Sequence, residues 1–145
     1  MGFFDMGQFV QKIKDRLKKK KVEEHEVTDK EIEQIPKEVY EKIKNDEELI
    51  KTYLNVEEDT REILDEAILN GKLFTKTGIR RVLRRILKQG DEDDFMILLN
   101  YYTKKYYGKE FIELSDGKQE QVLMKIVKGI SMNKAYELAE KFKST

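Results

Sequence analysis

The chain has 145 residues, of which 40% are charged and 39% apolar, and it carries 29 basic and 29 acidic side chains. This balance favours one folded domain with a core beneath a heavily charged surface. Cysteine is absent, which excludes disulfides, thiolate metal sites and a cysteine nucleophile. The sequence has no apolar run long enough to span a bilayer and no secretory-signal pattern, so we expect an intracellular, cytoplasmic protein.

The charges are unevenly distributed along the chain. Residues 1–21 contain seven Lys or Arg against two Asp, and residues 22–70 contain six against seventeen acids. Residues 71–90 contain seven Lys or Arg and no acid at all. A basic block of this kind is typical of a surface that meets a polyanion, although the chain as a whole is neutral.

One proline and eight glycines, several of them at plausible helix ends, favour an all-α fold. We predict a compact bundle of about six or seven helices around a buried central helix at 92–107. The predicted organisation is a basic amphipathic N-terminal helix at 1–21, a charged connector at 22–27 and a single helical domain at 28–145.

The N-terminal helix has an apolar face and a Lys-rich face, a pattern typical of peripheral membrane contact or of docking on a partner protein. Docking on the helix's own domain is the simpler alternative. The residues that would make these contacts are Phe3, Phe4, Met6, Phe9, Val10, Ile13, Leu17, Lys18, Lys19, Lys20 and Lys21. The only histidine, His25, lies in the connector, where we interpret it as a solvated side chain.

Several patterns typical of helix starts occur in the acidic region at 22–70. Thr28 with Glu31 has the spacing of a capping box, and Pro36 is well placed to begin the next helix. Asn45 and Asn55 are each followed three residues later by a glutamate, which predicts two further helix starts. These short helices are expected to cover the pair of helices in the stretch 75–108.

A basic amphipathic helix follows, with Thr75 or Thr77 as its cap and Gly90 at its end. Its cations could contact successive phosphates, could simply be solvated, or could pair with the acidic helices at 28–70. The candidate binding residues for a nucleic acid or an acidic protein surface are Arg80, Arg81, Arg84, Arg85 and Lys88.

The central helix begins with four acids, Asp91–Asp94, which we attribute to the helix dipole in preference to a Mg²⁺ site. Its apolar residues predict burial. The end of this helix, YYTKKYY, also interleaves aromatics with lysines. That pattern is typical of surfaces that stack nucleic-acid bases, if packing leaves some of the tyrosines outside.

Ser115 and Ser131 predict two last helices joined by a short turn, the outline of a helix-turn-helix pair. The side chains that would face a DNA groove are a poorly basic set, Asn133, Lys134, Glu137 and Lys141.

With one histidine, no cysteine and no glycine-rich phosphate loop, the chain lacks the usual catalytic sets, so we predict no enzyme, no cofactor and no metal. The expected function is a small helical nucleic-acid-binding or nucleic-acid-associated accessory protein that uses the basic helix at 79–88. The alternative is a protein–protein adaptor or assembly subunit that docks through the N-terminal helix, at a membrane surface or on another chain. The sequence does not define an oligomeric state.

Overall fold

The computed structural model describes residues 6–19, 27–89, 91–128, 130 and 137, apart from the side chains of Met6 and Lys19. The described chain is all-α, with no strand in these ranges, which confirms the predicted fold class. Two short 3-10 turns, Lys72–Phe74 and Phe111–Glu113, precede helices α6 and α8. The helices are α1 (Met6–Lys19), α2 (Asp29–Glu33), α3 (Lys37–Ile43), α4 (Glu47–Asn55), α5 (Glu58–Leu69), α6 (Lys76–Gln89), α7 (Glu92–Tyr107) and α8 (Asp116–Val127).

Several helices begin where a polar side chain can bind a free backbone amide. The hydroxyl of Thr28 accepts from the amide of Glu31 at 3.3 Å, completing the predicted capping box. Thr75, rather than Thr77, accepts from the amide of Gly78 at 3.0 Å at the start of α6. Ser115 accepts from the amide of Lys118 in α8 at 3.3 Å. These caps satisfy donors that have no partner inside the helix.

Two predicted caps are wrong. Asp46, not Asn45, caps α4, because its carboxylate accepts from the amide of Leu49 at 3.0 Å. Asn55 is the last residue of α4, where its side-chain amide donates to the carbonyl of Lys51 at 2.7 Å. Helix α5 starts three residues later, at Glu58.

Helix α7 lies at the centre of the described residues. It packs against α6, α4 and the second 3-10 turn. Its side chains Phe95, Leu98, Leu99 and Tyr102 are fully buried. Helix α8 packs on both α6 and α1, and α5 packs on α3 and α6. The prediction of a buried central helix is therefore confirmed.

The start of α6 is fixed by a close backbone approach. A methyl group at Gly78 would collide with the carbonyl oxygen of Lys72 in the first 3-10 turn, so only glycine lets α6 pack directly on that turn. This contact brings Phe74, at the end of the turn, next to the first residues of α6.

None of the helices in the described part of the chain combines the length and apolarity needed to cross a membrane.

Candidate nucleic-acid interface

The cations of α6 form two neighbouring stripes outside its buried apolar face. Arg81, Arg85 and Lys88 are exposed and follow helical spacing along the outside; we call them the outer stripe. The inner stripe is formed by Lys76, Arg80 and Arg84, which contact α7, α8 or their own helix. The five aliphatic residues of the apolar face are all buried: Ile79, Val82, Leu83, Ile86 and Leu87.

The outer stripe is largely unpaired. Arg85 lies 3.3 Å from the carboxylate of Glu66 on α5, and both side chains are more than half exposed. Among the described residues, Arg81 and Lys88 form no hydrogen bond and no ion pair. Pairing with the acidic helices at 28–70 is one of the alternatives for the five predicted binding residues. Arg85 makes such a contact, with Glu66 on α5.

The arginines of the inner stripe form hydrogen bonds within the fold. The Nε atom of Arg84 donates to the carbonyl of Ile126 at 2.8 Å, and its terminal nitrogen donates to the carbonyl of Lys125. Arg80 donates to the carbonyl of Lys76 at 3.3 Å and to the hydroxyl of Thr77 at 3.4 Å. Arg84 thus links α6 to α8, a role that helical spacing alone did not indicate.

The end of α7 carries an alternating row of rings and ammonium groups. Tyr101 and Tyr102 are buried, whereas Tyr106 and Tyr107 are only partly buried and Phe74 is 38% exposed. Each ring in the row has a lysine Nζ between 4.9 and 5.9 Å from its centroid. We call this row the aromatic–lysine strip; its members in spatial order are Phe74, Lys105, Tyr106, Lys76, Tyr107 and Lys118.

The electrostatic environment of the strip is positive around Tyr107. Burial pushes the pKa of the Tyr107 phenol upward, but the neighbouring hydroxyl of Tyr102 and the charges of Lys76, Lys125 and Lys118 outweigh it, so the pKa is lowered. At Tyr101, by contrast, burial and the hydrogen bond to Asp46 raise the pKa of the phenol. The charges of Lys76, Lys125 and Lys118 therefore make the potential positive at the Tyr107 end of the strip.

The other side of the outer stripe is acidic. A groove of about 460 Å³ lies between α5 and α6, beside Arg85, and a polyanion would be repelled there. Within the described residues, no three His, Asp or Glu side chains are arranged to hold a metal ion. The groove is lined by Asp59, Glu62, Ile63, Glu66, Arg85, Gln89 and Asp91.

The acids at the start of α7 have different roles. Asp91 caps the helix by accepting from the amide of Asp94 at 3.1 Å. Asp94 is 2% exposed and its carboxylate accepts from the amide of Glu57 and from the hydroxyl of Thr60. Dipole complementation therefore does not account for Asp94, which joins α7 to the start of α5. Burial raises the pKa of Asp94 to about 6; the Asp91 carboxylate adds to this rise, and the bonds from Thr60 and Glu57 oppose it.

The predicted docking face of the N-terminal helix is covered by the protein itself. Phe9, Val10 and Ile13 are at most 5% exposed and belong to the core, and α1 packs on α8. Arg16 holds α1 to the start of α7 through Glu92 at 3.1 Å and Asp93 at 3.3 Å. Leu17 is partly buried and Lys18 is exposed.

Other predicted residues lie outside the described part of the chain: Phe3, Phe4, Lys20, Lys21 and His25, the side chains of Met6 and Lys19, and the helix-turn-helix residues Asn133, Lys134 and Lys141. Glu137 is described and exposed.

The chain matches no protein-family model, no curated protein and no solved structure. The geometry of its own residues is therefore the basis for a functional hypothesis.

Proposed function

We propose that this protein binds the phosphate backbone of nucleic acid through the outer stripe of α6, without catalysis. The observation that carries the proposal is that Arg81 and Lys88 are exposed and have no hydrogen bond or ion pair among the described residues. Folding does not require cations at these positions, because any polar side chain would keep this face of the helix hydrated.

The dimensions of the stripe suit such a ligand. Lys88 is the seventh residue after Arg81 along the helix, which corresponds to roughly 10 Å at about 1.5 Å per residue. Phosphates of one strand follow each other by about 3.4 Å along the duplex axis, so a stripe of this length laid along the axis spans roughly three phosphate steps. Arg81 can bind phosphate oxygens in a bidentate manner, which adds geometric specificity to the charge. Arg85 contributes less, because Glu66 lies 3.3 Å from it at the edge of the acidic groove.

The alternative, an adaptor that docks through α1, has less support from the described contacts. Phe9 and Ile13 would have to leave the core, and Arg16 would have to give up two carboxylates. Arg81 and Lys88 need no such rearrangement before they can bind, and Arg85 would give up only its exposed contact with Glu66.

The test is a pair of charge reversals on the outer stripe, Arg81→Glu with Lys88→Glu, measured by fluorescence anisotropy against a labelled oligonucleotide at several salt concentrations. The parent should bind with an affinity that falls steeply with salt. The variant should bind at least ~10-fold more weakly, with a log–log salt slope shallower by about 1.8 on duplex DNA, because two phosphate contacts are lost.

The matched control is Lys37→Glu with Lys42→Glu, which changes net charge equally at two exposed positions on α3. If the outer-stripe variant binds as tightly as this control, the affinity comes from total charge and the proposal is wrong.

A further inference from the structure

The aromatic–lysine strip is assembled from four parts of the chain. Phe74 comes from the first 3-10 turn, Lys76 from the start of α6, Tyr106 and Lys105 from the end of α7, and Lys118 from α8. Neighbouring members lie at similar distances, from 4.9 Å for Lys118 and Tyr107 to 5.9 Å for Lys105 and Phe74. The result is one row in which a ring alternates with an ammonium group.

Two of the three lysines lack a carboxylate partner. Within the described residues, Lys76 and Lys118 form no ion pair, and Lys118 donates to the side-chain carbonyl of Gln121 at 3.2 Å. Lys105 has Asp46 at 3.8 Å and the hydroxyl of Tyr101 at 3.2 Å. The strip is therefore positively charged at the Tyr107 end and close to neutral near Phe74.

The position of Lys76 also points to an anion. It is the first residue of α6, and the first turn of that helix contains no acid. A cation at a helix N-terminus is opposed by the helix dipole, so the only favourable contacts of the Lys76 side chain among the described residues are with the rings of Tyr106 and Tyr107. Lys76 also continues the inner stripe toward Arg80, which makes the strip continuous with the basic side of α6.

We infer that the ligand of this surface is single-stranded nucleic acid, with unpaired bases stacking on Phe74, Tyr106 and Tyr107 while the intervening lysines bind the phosphates between those bases. This inference rests on the proposed function and narrows its substrate class. Proteins that bind single strands combine aromatic side chains with a positively charged path along the backbone, as this strip does. In a duplex the faces of the bases are already stacked, so the rings would have nothing to contact.

Packing against the core accounts for the positions of some rings of the strip but not for the exposure of all of them. The ring of Tyr102 lies 5.5 Å from that of Tyr106 and 5.9 Å from that of Tyr107, so both outer rings rest on a buried neighbour. This support holds the two rings in place and leaves each partly exposed. Phe74 is exposed to a greater extent, and its ring has Lys105 over it. When a base takes the place of a lysine on a ring, the flexible ammonium group can move to a phosphate.

The experiment compares a short labelled single strand, as DNA and as RNA, with the duplex of the same sequence. The full chain should bind the single strand about 10-fold more tightly than the duplex. Phe74→Ala should weaken single-strand binding about 10-fold, the loss expected for one stacked base, and should leave duplex binding unchanged. Lys118→Gln should also weaken single-strand binding and reduce its salt slope by about 0.7.

Leu69→Ala is the matched control, because Leu69 on α5 is a similarly exposed apolar residue that is not part of the strip, at 42% against 38% for Phe74. The inference is overturned if single strand and duplex bind equally, or if Phe74→Ala and Leu69→Ala have the same effect. Should duplex binding depend on Arg81 and Lys88 while neither Phe74 nor Lys118 matters, the proposed function stands and the strip is structural. Absence of binding to any of these oligonucleotides overturns both proposals.

Discussion

The Nε atom of Arg84 donates a 2.8 Å hydrogen bond to the backbone carbonyl of Ile126, in the last turn of α8. Carbonyls in the last turn of a helix have no partner within it, so an arginine from a neighbouring helix can satisfy them. One of the five cations predicted to bind a ligand is thus a link between two helices.

Arg84→Met should therefore destabilise the protein, whereas Arg81→Met should not. We expect a loss of about 1–2 kcal/mol in the free energy of unfolding for Arg84→Met, because a charge-assisted hydrogen bond is removed and a carbonyl loses its partner. Arg81→Met, at an exposed position without a partner among the described residues, should change stability by less than about 0.5 kcal/mol. Urea unfolding of both variants measures this difference. Equal stabilities would mean that the contact with α8 contributes nothing.

Asp94 should make stability depend on pH. Its pKa is about 6 in the folded protein and near 3.8 in the unfolded chain, so the folded state holds the proton more tightly. The contribution of Asp94 to stability is then fully present below pH 3.8 and is lost as pH rises through about 6. The shift corresponds to roughly 3 kcal/mol at most. Relative to Asp94→Asn, which cannot ionise, the parent should lose stability between pH 4 and pH 7.

The control for Asp94 is Asp59→Asn, which removes an exposed carboxylate from the first turn of α5. Unfolding free energies of the three proteins, measured across this pH range, give the comparison. A difference between the parent and Asp94→Asn that does not vary with pH would show that Asp94 ionises alike in the folded and unfolded states.

Ile13 tests whether α1 belongs to the core in solution. The side chain is fully buried between α1 and its neighbours, so Ile13→Ala should cost about 2–5 kcal/mol in the free energy of unfolding. Leu17→Ala, at a partly buried position one turn further along, should cost less. Thermal or urea unfolding distinguishes the two. If Ile13→Ala is as stable as the parent, α1 is detached in solution and the adaptor hypothesis gains support.

Interactions between residues close in the sequence were enough to predict much of this fold. The caps at Thr28, Thr75 and Ser115 and the burial of Phe95 and Leu98 follow from interactions within a few residues or from helical periodicity. Such features are encoded over one or two turns of a helix, and so they can be recognised in an isolated stretch of sequence.

Contacts between residues far apart in the sequence decide which side chains belong to the candidate surface. The helix repeat places Arg84 and Arg85 almost equally far from the apolar face of α6, and only the position of α8 makes Arg84 a structural link. Asp94 likewise has the sequence context of a dipole acid, but α5 lies against it and encloses its carboxylate. Phe74 meets the end of α7 because glycine at position 78 lets α6 approach the turn before it. Charge and periodicity specify which side chains a helix offers, and the packing of neighbouring helices specifies which of them remain free to bind.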